Sequence, residues 1–118
     1  DEFHNRPTAP LQVWPTAYGT LWAGKDMQSG GTWLGLGSNG EFALLTNVRN
    51  AALNMPSTAP TRGKLVVNAV RTGSGPAERE SKHFAGFNLV HGNLRNLGFR
   101  CVSNQGLKLN CTNRGDKS

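Results

Sequence analysis

Three histidines (His4, His83, His91) and two cysteines (Cys101, Cys111) are the side chains of this chain most suited to proton transfer, metal ligation or nucleophilic attack. Their spacing favours none of the three. The histidines do not repeat at helical ligand spacing, and each is expected at the surface or on a strand edge. The cysteines have no Cys or His nearby to complete a zinc site. A last hairpin centred on Gln105 pairs Cys101 with Leu109 rather than Cys111, so free thiols are expected. Two glycine-bearing stretches also fall short. "GSGPAERE" lacks the third glycine of a dinucleotide loop, and no Gly-Lys-Ser/Thr follows it. "KHFAGFNLV" lacks the glycine that an RNA-recognition strand carries after its basic residue.

The elements that must position any site are short. Glycine, at 15 of 118 residues, is about twice its usual share of roughly 7%, and six prolines accompany it. Both residues interrupt helices, so strands and tight turns are expected. Residues 1–19 carry Pro7, Pro10 and Pro15 and read as an extended or looping segment, pinned by Trp14 and Tyr18. Strands are expected at 20–25, about 32–37 and 41–47, the last two joined by an Asn39-Gly40 turn. "KLVVNAV" (64–70) stays open between strand, by its valines, and helix, by its spacing. "PAERESKHF" (76–84) reads as a helix with Pro76 at its first position, and strands follow near 87–91, 97–103 and 107–111.

No apolar run approaches the roughly 20 residues of a membrane helix. The first residues are acidic and polar, unlike a signal peptide, and a cytoplasmic protein is expected. Net charge is +6, with ten of the 13 basic residues after position 60. Such a half can serve nucleic acid, but its charges are dispersed singly, and a solvated surface is the preferred reading. Asp1 in place of methionine points to processing or to a fragment.

Four stretches in order carry more information: "DEFHNRPTAP", "AGKDMQSGGTWLGLGSNGEFALLTNVRN", "RGKLV" and "FAGFNLV". Together they resemble the NRDE family, which includes the transport-and-Golgi-organisation proteins of animals. The resemblance covers about residues 1–104 and is densest over 1–49. The family motif begins with Asn-Arg, absent here, and family members are about twice as long. A single domain, residues 1–118, is therefore expected to be a truncated family domain.

The resemblance implies an α+β fold: an αββα sandwich of the N-terminal-nucleophile hydrolase type, incomplete here, with mainly antiparallel strands. Such enzymes attack an amide with a Cys, Ser or Thr at the mature N-terminus. Asp1 cannot do that, and resembles instead the acid that orients the nucleophile's amine. Asn47, in "LTN", resembles an oxyanion-hole asparagine, or else caps a strand. Arg6 and Arg49 either hold a ligand carboxylate or propionate or pair with Asp1, Glu2 or Asp26, and Asp26 is itself counted with them among the candidate ligand-binding residues. Trp33, inside "GGTWLG", either walls a pocket for a flat ligand or packs in the core, the preferred alternative.

The expected activity is accordingly the handling of a small acidic or haem-like ligand in intracellular trafficking or homeostasis. Haem enters as a transported ligand, with no axial residue assigned and no metal site expected. A cysteine amidohydrolase whose nucleophile lies upstream is the first alternative. A basic nucleic-acid-binding module is the second and less favoured one.

Overall fold

The computed structural model describes residues 6–16, 19–48 and 60–104. They form a six-stranded antiparallel meander with neighbours in chain order: β1 (Thr8–Thr16), β2 (Gly19–Asp26), β3 (Leu34–Gly37), β4 (Glu41–Asn47), β5 (Phe87–Asn93) and β6 (Gly98–Ser103). Two helices, α1 (Gly63–Thr72) and α2 (Glu78–Ser81), lie in the connection between β4 and β5. The α+β class expected from sequence is present.

Helix α1 is the ambiguous "KLVVNAV" segment, and burial decides its conformation. Leu65, Val66, Ala69 and Val70 share one helical face and are all buried. As a strand, the same residues would alternate between two faces and lose half of that contact. The sheet accommodates the helix closely because β3 presents Gly35 and Gly37 on that side. A Cβ at Gly35 would lie 3.5–3.6 Å from Val70 and Val66. Gly35 therefore serves packing of a helix, not approach of a ligand. Leu21, Ala23, Ala43, Phe87 and Leu89 complete the core on the same face of the sheet.

Strand β1 departs from the expected loop, because seven of its residues pair with β2 despite Pro10 and Pro15. Proline is tolerated there because β1 is an edge strand, whose outer N–H groups have no partner strand. Trp14 does pin the segment: it packs against the core and its indole N–H donates to the Ala23 carbonyl at 3.2 Å. Tyr18 lies outside the described residues, as does the strand expected at 107–111.

Three further expectations need correction. The second helix is one turn, Glu78–Ser81, and not 76–84, since Lys82 and His83 turn away towards β5. His91 is buried at 4% exposure. It shares the inward face of β5 with Phe87 and Leu89, and β5 is an interior strand between β4 and β6. Cys101 is disulfide-bonded and not a free thiol; a register argument cannot exclude bonding beyond the paired strands. Cys111 lies outside the described residues.

Asn104 closes the turn between α2 and β5. Its side-chain amide donates to the carbonyls of Ser81, Phe84 and Ala85 at 3.0–3.1 Å and accepts from the Phe87 N–H at 3.0 Å. The turn is thereby held against Phe87, which Phe84 meets edge to face at 6.1 Å. Asn104→Ala is expected to cost about 1–2 kcal/mol in urea unfolding. Asn104→Asp should cost more, because it turns a donor facing three carbonyls into a fourth lone-pair bearer.

Candidate functional site

Strand β2 ends at Asp26, whose carboxylate organises the next turn. Oδ1 accepts the N–H groups of Gln28 and Ser29 at 3.0 and 3.3 Å, and Oδ2 accepts the Ser29 hydroxyl at 2.7 Å. Arg6, just before β1, pairs with Oδ2 at 2.5 Å and also donates to Ser29 Oγ at 2.9 Å. Across the gap, the Thr61 hydroxyl donates to the same Ser29 Oγ at 3.3 Å. One network therefore ties the approach to β1, the β2–β3 turn and the start of α1. Partial burial pushes the Asp26 carboxyl up, but Arg6, Ser29 and the two backbone N–H groups outweigh it and hold its pKa at about 2.

The turn then runs into "GGTWLG". Gly31 touches the first residue of α1: a Cβ there would lie 2.8 Å from both Cα and the carbonyl carbon of Gly63. This contact sets the helix start beside the turn, and a cleft of about 620 Å³ opens between them. Trp33 forms one wall and is 46% exposed. Its ring lies over Gly24, where a Cβ would be 2.7 Å from Cζ2. The preferred core-packing expectation for Trp33 is thus corrected. Its backbone is still anchored, since its carbonyl accepts the Leu45 N–H at 2.9 Å.

Four of the six residues singled out from sequence line this cleft together: Arg6, Asp26, Trp33 and Asn47. Asn47 stands at the end of β4 opposite Phe87, with its side chain exposed. Asp1 and Arg49 lie outside the described residues. Of the two alternatives for Arg6, the ion pair with Asp26 is present. The sequence reading missed Thr61 and Arg62. Arg62 directs one guanidinium nitrogen to the Gly86 carbonyl at 2.9 Å and lines the cleft beside α1. Recognising a helix start at "RGKLV" would have revealed it.

The two histidines among the described residues lie elsewhere, and His4 is outside those residues. His83 is exposed beyond α2, and His91 sits beneath Gly75, whose added Cβ would meet Nε2 at 3.0 Å. Burial lowers the His91 pKa, the Arg100 charge lowers it further, and Glu41 opposes both. Among the described residues no three His, Cys, Asp or Glu side chains gather as a metal site.

A profile of the Transport and Golgi organisation 2 family matches residues 1–116. The chain belongs to that family. It is the same family as the NRDE resemblance. The Transport and Golgi organization protein 2 homolog of Bos taurus is 33% identical over 103 residues, covering 80% of this chain and 36% of that protein. The Homo sapiens homolog is 32% identical with the same coverage. The chain thus spans about a third of the length of the curated relatives it matches. No helix among the described residues is long and apolar enough to cross a membrane.

Proposed function

We propose that the cleft binds a small acidic ligand, which the family domain containing this chain handles in trafficking or homeostasis. The observation that carries this reading is the gathering of Arg6, Trp33, Asn47 and Arg62 around one opening of about 620 Å³, within the usual range for small-molecule sites. Trp33 supplies a flat apolar wall. Arg62 and the N-terminal end of α1, whose first turn holds no acid, set a positive potential for a carboxylate. Arg6 is committed to Asp26 and shapes the site.

Haem matches the flat wall and, through its propionates, the arginine. The described lining holds no His, Cys, Met or Tyr to ligate iron. Haem would be held here by stacking and propionate contacts, so a simple acid is the first ligand to examine. The scaffold in this reading is an αββα sandwich of the N-terminal-nucleophile hydrolase type, of which the sheet and α1 are two layers, working in the cytoplasm.

Calorimetric titration with a series of small carboxylates, and with haemin, tests the proposal. Saturable binding is expected, weakened about ten-fold or more in Arg62→Ala and partly restored in Arg62→Lys. No saturable heat with any of these ligands at millimolar concentration, from folded protein, overturns it.

The place of Asn47 on the cleft wall favours a second reading, a cysteine amidohydrolase. The Asn47 amide would stabilise the oxyanion, and Asp1 would orient the amine of an upstream cysteine. Amide hydrolysis by the whole natural protein, lost when that cysteine is replaced, is the expected result. An inert protein ends this reading.

A further inference from the structure

One carbonyl oxygen, that of Gly86, accepts hydrogen bonds from two parts of the cleft. Arg62 Nη1 donates to it at 2.9 Å. The N–H of Val48, the residue after Asn47, donates to it at 2.9 Å. Both lone pairs of the oxygen are thereby engaged. The direction of this carbonyl is not fixed by Gly86 itself, because a residue without Cβ turns readily about its backbone. It is fixed from the other end of the same planar peptide unit, the Phe87 N–H. The unit is trans, so its N–H and C=O point opposite ways. On the far side the Phe87 N–H donates to Asn104 Oδ1 at 3.0 Å. The Asn104 amide donates in turn to the carbonyls of Ser81, Phe84 and Ala85, the last belonging to the preceding peptide unit.

We propose that Asn104 is a positioning residue for the cleft: it lines no part of the opening, and through the Gly86–Phe87 peptide it aims the carbonyl that holds Arg62. Phe87 is fully buried, so no solvent reaches its N–H in the folded chain. Without Asn104 that N–H is left unpaired, and rotating the peptide to pair it carries the carbonyl away from Arg62. Polarisation acts in the same direction, since a peptide whose N–H is donated is a better acceptor at its oxygen. Arg62 and Asn104 are thus joined through one rigid group, although 42 positions separate them in sequence. What Arg62 does for a ligand rests on the cleft reading; how Arg62 is held does not.

The test reads Arg62 by NMR in the whole natural protein carrying this sequence, with no ligand present. In Asn104→Ala the Arg62 side-chain N–H signal is expected to move to the position of the exposed Arg100. The Val48 amide should exchange about ten-fold or more faster. Ser81→Ala is the control. It removes a hydroxyl that donates to the Ala77 carbonyl at 3.1 Å, which loosens the same turn and leaves the Gly86–Phe87 peptide alone. Its Arg62 signal should stay in place. An unmoved Arg62 signal in folded Asn104→Ala overturns the proposal, and so does an equal shift in Ser81→Ala. Asn104→Ser, which leaves a hydroxyl in the space, gives the same reading if Asn104→Ala does not fold. With benzoate as the probe acid, Asn104→Ala should bind about three- to ten-fold more weakly. The double variant with Arg62→Ala should bind within about two-fold of Arg62→Ala alone, and additive losses overturn the action through Arg62. A natural protein that binds no benzoate counts against the cleft reading, while the ligand-free signals decide the positioning by themselves.

Discussion

Asp26→Ala is expected to destabilise the protein by about 2–3 kcal/mol and to abolish ligand binding in the cleft. The substitution removes one shared acceptor from four donors: the Arg6 guanidinium, which keeps its bond to Ser29 Oγ, the Ser29 hydroxyl and the N–H groups of Gln28 and Ser29. Breaking a fully buried ion pair costs roughly 3–5 kcal/mol. Here the Arg6 and Asp26 side chains are 21% and 18% exposed, so water recovers part of that cost. A loss of this size is a large share of the roughly 5–15 kcal/mol that stabilises a domain. Asp26→Asn keeps the shape and one acceptor, and should cost about half as much.

The same carboxylate makes a pH prediction. Its pKa is lowered on folding, from 3.8 to about 2, so its ionised form stabilises the folded state. That contribution is complete above about pH 4 and is lost as pH falls towards 2. With partial solvent screening it amounts to on the order of 1–2 kcal/mol. Unfolding free energies of the natural chain and of Asp26→Asn should therefore converge between pH 5 and pH 2. A constant gap across that range would mean that the carboxylate's charge contributes nothing.

How much of this was legible beforehand depended on the range of the forces involved. The β3–β4 hairpin was legible because Asn39-Gly40 sits between apolar runs, and Gly40 indeed takes φ +88°. Strand β4 was read as 41–47 and is 41–47, since nothing distant competes with its local pattern. Helix α1 was not legible, because its valines favour a strand and only the glycine-paved surface of β3 makes the helix the better burial. His91 was misjudged for a related reason: its burial comes from the Gly75 segment lying over it on the helix-bearing face of the sheet, a contact visible only in three dimensions.

The site was legible through kinship more than through chemistry. Arg6, Asp26, Trp33 and Asn47 are separated by up to 41 positions, and no spacing rule links them. Only the resemblance brought them together as candidates. Arg62 was missed because its role depends on where α1 begins. That position is fixed by contact with Gly31, not by a capping residue, as Arg62 makes no side-chain cap.

Gly31→Ala is the sharper test of how the cleft is built, and its neighbour Gly30 provides the control. Gly30 adopts φ +81°, and an added Cβ there would have nothing within 4 Å. Gly30→Ala should therefore cost only the left-handed backbone penalty, about 1 kcal/mol, and leave the cleft intact. At Gly31 no positive φ is involved, but the added methyl would lie 2.8 Å from two backbone atoms of Gly63. Backbone cannot rotate away as a side chain can. Either the turn or the first turn of α1 must move, at a cost of about 3 kcal/mol. Either movement displaces Arg62 and Thr61 relative to Trp33 and the Asp26 turn. Urea unfolding and carboxylate titration of the two variants should separate these effects. Gly30→Ala should lose a little stability and keep its affinity, while Gly31→Ala should lose both. Equal behaviour of the pair would mean that the glycines serve only the turn, and that the helix is held in place by its buried face of Leu65, Val66, Ala69 and Val70.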